Sequence, residues 1–225
     1  MTLTIKPVTY KNMSMVNKIK KTFPNLALFT LSLELESLLS DCDSVLDLGC
    51  GDNSPLGFIN RKKYSVGVDG FNKSIAKSKN KNIHDKYLHK NILEIEKDFK
   101  KKSFDAVIAL DVIEHLEKKD GYKLLKIMEH IASKKIILLT PNGFVPQTGE
   151  GNGLQEHLSG WIVSDFKKLK YKVFGRYGLK NLRGEKAELK FRPKVLWGLI
   201  SELSNLFFTR KNPKKAYSLL AVKSL

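Results

Sequence analysis

Residues 44–54 read Ser44-Val45-Leu46-Asp47-Leu48-Gly49-Cys50-Gly51-Asp52-Asn53-Ser54, a short apolar run interrupted by an acid and closed by two glycines spaced one apart. With a fresh amphipathic stretch starting near Pro55, this pattern predicts strand, tight turn and helix. Gly49 and Gly51 can take backbone conformations closed to other residues and let a ligand approach the main chain, and a helix N-terminus beyond them would offer free N–H groups to an anion. A Gly-x-Gly turn alone is a weak sign, because nicotinamide-binding units begin in a similar way. Two residues argue against a dinucleotide. Asp47 places negative charge where a pyrophosphate would be repelled and a cationic amino group welcomed, and Ser54 stands in place of the third glycine of Gly-x-Gly-x-x-Gly.

Working outward, residues 25–39 suit a helix packed beside the first strand, and residues 64–69 read as a second strand ending in Asp69. Asp69 lies 20 residues beyond Gly49, where a carboxylate can accept both hydroxyls of a ribose. The competing reading makes it the N-cap of a helix over 72–79. Gly70 and Phe71 follow, the ring either lying on an adenine face or capping the core. A third strand over 86–89 leads to Asn91 and Ile92, an amide positioned to bond an adenine edge. Residues 104–111 are almost continuously apolar, as a central parallel strand covered on both faces would be. A crossover helix over 120–133 and a fifth strand over 135–139 follow, ending in Thr140-Pro141-Asn142-Gly143.

Asp47-Leu48-Gly49-Cys50-Gly51, Asp111-Val112-Ile113-Glu114-His115-Leu116 and Thr140-Pro141-Asn142-Gly143 together resemble the motifs of the class I S-adenosylmethionine-dependent methyltransferases. The Glu-His-Leu ending resembles the small-molecule and lipid-type branch. The resemblance covers residues 44–143 and extends more loosely to the last strand. It implies an α/β fold: a doubly wound, seven-stranded, mostly parallel sheet with an antiparallel last strand. It also implies S-adenosylmethionine as cofactor, held by Asp47, Gly49, Cys50, Gly51, Asp69, Gly70, Phe71, Asn91, Ile92, Asp111 and Val112. Asn91 departs from the acid usual there but keeps a polar group. His115, His157 and Asp111 are the catalytic candidates, either imidazole being able to take a proton near neutrality or simply to pack over the cofactor.

The chain is expected to form one domain over 1–225: an N-terminal segment and helix (1–43), a cofactor-binding core (44–143) and a substrate side (144–225). Lys6, Lys11, Lys18, Lys20 and Lys21 mark the first 24 residues as a mobile or substrate-covering segment. Residues 144–160 read as a functional loop. A helix over 163–169 capped by Ser164, a strand over 171–175, and a loop over 177–185 whose Arg183 and Glu185 complete the acceptor site should follow. A last strand is read over 216–222.

Cys42 and Cys50 are read as free thiols, and without Cys-x-x-Cys or His-x-x-His spacing no metal is expected. The net charge of +17 is concentrated late: residues 161–225 hold 16 Lys/Arg against 4 Asp/Glu, leaving 24 against 19 before them. Such a field favours anionic partners. The stretch 191–208 is apolar and Trp-bearing, with basic flanks to residue 215. It suits either burial against the sheet, a dimer partner or a membrane interface. With no spanning segment or signal pattern, the expectation is a cytoplasmic protein with a peripheral membrane contact through 191–215 as one reading. The acceptor class favoured is a small metabolite, lipid-linked or saccharide molecule. Nucleic acid is the alternative, and a nicotinamide-dependent oxidoreductase or a non-catalytic cofactor-binding module stands further back. The oligomeric state is left open.

Overall fold

The computed structural model describes residues 26–60, 64–147, 155–184 and 187–225. The N-terminal lysine segment, the tip of the 144–160 loop and Glu185 lie outside the described residues. The strands β1 (Ser44–Leu48), β2 (Tyr64–Asp69), β3 (Lys86–His89), β4 (Phe104–Leu110), β5 (Ala132–Pro141), β6 (Lys172–Leu179) and β7 (Ala216–Ser224) form a seven-stranded sheet in the order β3-β2-β1-β4-β5-β7-β6. Two compact units divide the chain, one ending at Ile92 and one beginning at Leu93.

In the first unit, α1 (Leu26–Leu38) precedes β1 (Ser44–Leu48), β2 (Tyr64–Asp69), α2 (Asn72–Asn80) and β3 (Lys86–His89). All three strands pair in parallel, with Asp47 opposite Gly67 and Asp69 opposite His89. Leu31, Leu35, Leu39, Val45, Leu46 and Leu48 form its core. Each such side chain withdrawn from water stabilises the fold by about 1.5–3 kcal/mol. The helix expected from Pro55 is a single 3-10 turn, Pro55–Phe58. The reason is local: Pro55 and Gly57 are poor helix formers, and Ile59 is already extended, so no α-helical turn is built. The anion-binding helix terminus expected there is therefore not part of the structure, and Ser54 instead caps the turn, its Oγ accepting from Leu56 N–H at 3.3 Å.

The second unit contains β4 (Phe104–Leu110), α3 (Lys118–Ile131), β5 (Ala132–Pro141), α4 (Val163–Lys168), β6 (Lys172–Leu179), α5 (Lys194–Ser204) and β7 (Ala216–Ser224). β4 and β5 are parallel, and β7 returns antiparallel between β5 and β6. Leu124, Leu125, Ile127, Met128 and Ile131 of α3 are buried together with Ala106–Ala109 of β4. α3 begins two residues before Asp120, and β5 and β6 are longer than read from sequence. Ser164 does not cap α4: Ile162 occupies the cap position and its N–H donates to the Asp165 carboxylate at 3.1 Å. The segment read as a loop over 177–185 begins inside β6 and continues as a 3-10 turn, Lys180–Leu182.

α5 faces the opposite way from an ordinary surface helix. Its inward residues are polar, with Ser201 buried on the helix and Asn205 and Thr209 buried on the π-turn after it. Val195 and Phe207 are 79% and 78% exposed, and Leu196, Leu199, Leu203 and Leu206 are exposed too. Burial against the sheet therefore does not account for this apolar face. No helix among the described residues is long and apolar enough to cross a membrane.

Candidate functional site

The first unit carries the glycine turn and its partners. Gly49 and Gly51 both lie in the left-handed region, at φ +69° and +56°. Their conformation is locked by three bonds: Gly49 N–H and Cys50 N–H donate to Val68 O at 2.8 and 3.0 Å, and Gly51 N–H donates to Asp69 Oδ2 at 2.9 Å. A methyl group built on Gly51 would meet no atom within 4 Å, so the turn borders open space on that side. Asp69 Oδ1 takes a second N–H, from Phe71, at 2.7 Å. Asp69 is thus a clamp between two loops and not the cap of α2, whose cap position is Phe71. Each oxygen keeps one further lone pair, the number a vicinal diol would need.

The end of β3 is tied to the same residue. Lys90 N–H donates to Asp69 O at 3.1 Å and the His89 ring nitrogen Nε2 meets Gly70 O at 3.0 Å. Asn91 and Ile92 therefore follow directly from the Asp69 edge, Asn91 with an exposed side chain. Asp47, by contrast, is buried. Ser54 Oγ donates to its Oδ2 at 2.6 Å, and His84 Nε2 lies 3.4 Å from the same oxygen. Burial pushes its carboxyl up to about 7, against the Ser54 hydrogen bond and helped by the Asp69 charge. Burial likewise raises Cys50, which stays a thiol, and both cysteines are free.

In the second unit β4 runs into Asp111, which adopts φ +54°, a strained conformation for a residue with a side chain. Its N–H donates to Leu139 O at 2.9 Å, holding it at the end of β4. Val112, Ile113 and Glu114 then turn inward and are buried. The Glu114 main-chain carbonyl accepts from both Leu158 and Ser159, at 2.8 and 3.0 Å. Trp161 anchors that incoming segment: it is buried, donates Nε1–H to Ser159 Oγ at 3.0 Å, and has Lys118 Nζ 3.7 Å over its ring. This clamp brings His157 to His115 across 42 residues of sequence, the rings 4.8 Å apart and edge to face. The two imidazoles, rivals in the sequence, are neighbours.

Both rings are oriented by backbone carbonyls. His115 Nδ1 lies 3.0 Å from Glu156 O, and His157 Nδ1 lies 2.6 Å from Val145 O. A nitrogen facing a carbonyl must carry the proton, so on each neutral ring Nε2 presents the lone pair. Burial lowers the His115 pKa, favouring the neutral ring. Glu114, which the sequence reading passed over, is the third member: one donor atom from each of Glu114, His115 and His157 lie within 4.8 Å of one another. Burial raises the Asp111 and Glu114 carboxyls, Glu114 being raised further by the Asp111 charge. Arg183, expected to face an acceptor, instead braces the fold. Its guanidinium donates to Tyr177 O, Ala187 O and Ser201 Oγ at 2.9, 2.7 and 3.1 Å.

Residues 46–136 match the family model for a methyltransferase domain. The chain is 31% identical over 130 residues to a ubiquinone biosynthesis O-methyltransferase from Rickettsia bellii, a match covering 55% of this chain and 52% of that protein. It thus spans about half the length of the curated relatives it matches. Among solved structures it is similar to a SAM-dependent methyltransferase from Archaeoglobus fulgidus, with TM-score 0.56 and 16% identity, covering 94% of this chain and 100% of the other. It is also similar to magnesium protoporphyrin IX methyltransferase from Synechocystis PCC 6803, with TM-score 0.52 and 14% identity, covering 95% of this chain and 85% of the other. The strand order and the match over residues 46–136 agree: the chain has the fold of the class I S-adenosylmethionine-dependent methyltransferases, and residues 46–136 are similar to a methyltransferase domain.

Proposed function

We propose that this chain transfers the methyl group of S-adenosylmethionine to a hydroxyl oxygen of a small-molecule acceptor. The observation that carries the donor half is Asp69, pinned by Gly51 and Phe71 N–H groups with lone pairs to spare beside an open glycine turn. Those residues fit the donor's ribose and main-chain-hugging methionine portion. Asp47 would meet its ammonium group directly or through water, and Asn91 would bond the adenine edge. The fit for Asp47 rests on its ionising, which a cation nearby favours.

When bound, the donor supplies an activated sulfonium: an oxygen–methyl bond forms as the sulfur–methyl bond breaks, leaving a neutral thioether. The chain's own task is to hold donor and acceptor in line and to receive the hydroxyl proton. The second unit presents two imidazoles whose Nε2 atoms are turned out by their carbonyl partners. Oxygen as the accepting atom is supported by the name of the Rickettsia bellii relative.

The test is incubation of the chain with methyl-labelled donor and fractionated cell extract. Label recovered as a base-stable methyl ether in a low-molecular-weight fraction supports the proposal. Label confined to RNA, protein or no fraction overturns it.

A further inference from the structure

We propose that α5 and the π-turn after it form a membrane-contact surface that lies flat in the interface of a bilayer rich in anionic phospholipid. Val195, Leu199, Leu203 and Phe207 recur at a spacing of four, which lines them up along one side of the helix, and all four are exposed. The element cannot roll over to bury them. Ser201 Oγ donates to Tyr177 O at 2.9 Å and accepts from the Arg183 guanidinium at 3.1 Å, and Ser204 Oγ accepts from Leu179 N–H at 3.2 Å. A Cβ on Gly178 would collide with Ser201 O, so β6 and the helix meet backbone to backbone. The polar side is thereby fixed inward and the apolar side outward, the reverse of a helix that packs onto its own core. A contiguous apolar face of this kind marks a contact surface.

Charge selects the occupant. From Lys190 to Lys215 the chain carries seven Lys/Arg and one acid, Glu202. That acid is within electrostatic reach of Arg183 and Tyr177, which hold the inner side. The cations stand at the two ends, Arg192 and Lys194 before the apolar face and Lys211, Lys214 and Lys215 after it, all exposed. Two copies of this chain laid face to face would crowd these like charges together, whereas anionic headgroups pair with them. Residues 195–209 span about 22 Å as a helix, short of the roughly 30 Å of hydrocarbon in a bilayer, so the element lies along the surface and does not cross it. Side chains that stand out from a helix, such as Phe207, enter the acyl boundary without needing a shaped pocket, while lysines beside them reach the headgroups. The surface does not depend on the methyl-transfer reading.

The test uses the full chain and vesicles of phosphatidylcholine, with and without phosphatidylglycerol. The chain should sediment with the vesicles that contain phosphatidylglycerol, less so as salt is raised, and only weakly with phosphatidylcholine alone. Of the two tryptophans, Trp161 is already buried, so a blue shift of fluorescence on binding reports Trp197. Val195→Ser combined with Phe207→Ser should lower partition by about tenfold or more, and Lys211→Gln by about fivefold. Circular dichroism and the thermal midpoint report folding, and Leu206→Ser alone, also on the exposed side, tests the same direction should the double variant unfold. No sedimentation of the wild-type chain with anionic vesicles, or equal sedimentation of a folded Val195→Ser/Phe207→Ser variant, overturns the surface. So does a lipid-free dimer abolished by that variant, or retention on polyglutamate, where vesicles take up no protein; these outcomes assign the face to a second copy or to an acidic protein.

Discussion

The two polar clusters at the strand ends are constructed in opposite ways. In the first unit Asp69 has both oxygens on backbone N–H groups and Asp47 has Ser54 and His84 against it, so the charges are held by the protein itself. In the second unit burial raises the Asp111 and Glu114 carboxyls, Asp111 is strained, and the His115 and His157 rings lie edge to face. The first cluster is preorganised for a ligand rich in donors, such as a diol and an ammonium group. The second holds carboxyls raised by burial, so its groups are set up to exchange a proton with a ligand and not to hold a fixed charge.

The largest effect that would break this contrast is loss of the Asp69 clamp. Asp69→Ala removes two charge-assisted bonds to the glycine turn, each worth about 1.5–3 kcal/mol, and should cut donor affinity by about 100-fold or more in a calorimetric titration. Unaltered affinity would show that the cluster is not the donor site. Next comes packing behind it. A methyl group on Gly67 would fall 2.5 Å from His84 Cδ2 and 2.9 Å from Cys50 Sγ, so Gly67→Ala should lower stability by about 1–3 kcal/mol in denaturant unfolding. Gly51→Ala meets no such neighbour. Its cost is the left-handed backbone alone, about 1–2 kcal/mol, so the same measurement should rank it no worse than Gly67→Ala.

A finer effect concerns Asp47. Its folded pKa of about 7 lies above the ordinary 3.8, so the folded chain holds a proton that the unfolded chain releases. Stability from this group is therefore full at low pH and falls as pH rises through that window, by at most about 1.4 kcal/mol per pH unit. The thermal midpoint of Asp47→Asn should lack that component of the slope. An ammonium group arriving beside Asp47 would favour its ionised form, so donor binding near about pH 6 should release part of a proton, seen as a buffer-dependent calorimetric enthalpy. Identical enthalpies in buffers of different ionisation heat would remove Asp47 from the contact.

What could be read from sequence follows the same division. Gly49, Gly51 and Asp69 were legible because turn, spacing and strand end are local features, and the alternation of strands and helices over 44–140 carries the sheet. The helix expected after Pro55 failed on the same local ground, since Pro55 and Gly57 suppress it. Glu114 escaped notice because its importance is not local. Inside Asp111-Val112-Ile113-Glu114-His115 it looks like any acid in an apolar run, and only the 158–159 segment docking on its carbonyl brings His157 to it. The facing of α5 is non-local for the same reason. Its periodicity shows one apolar side, but hydrogen bonds from Ser201 Oγ to Tyr177 O and from Arg183 to Ser201 turn the polar side inward.

The central claim is that the glycine turn and Asp69 bind S-adenosylmethionine. Calorimetric titration of the wild-type chain with S-adenosylmethionine, and in parallel with NAD, tests it most directly. The account predicts one molecule of S-adenosylmethionine per chain and no saturable heat from NAD. Saturable NAD binding with no response to S-adenosylmethionine would contradict it.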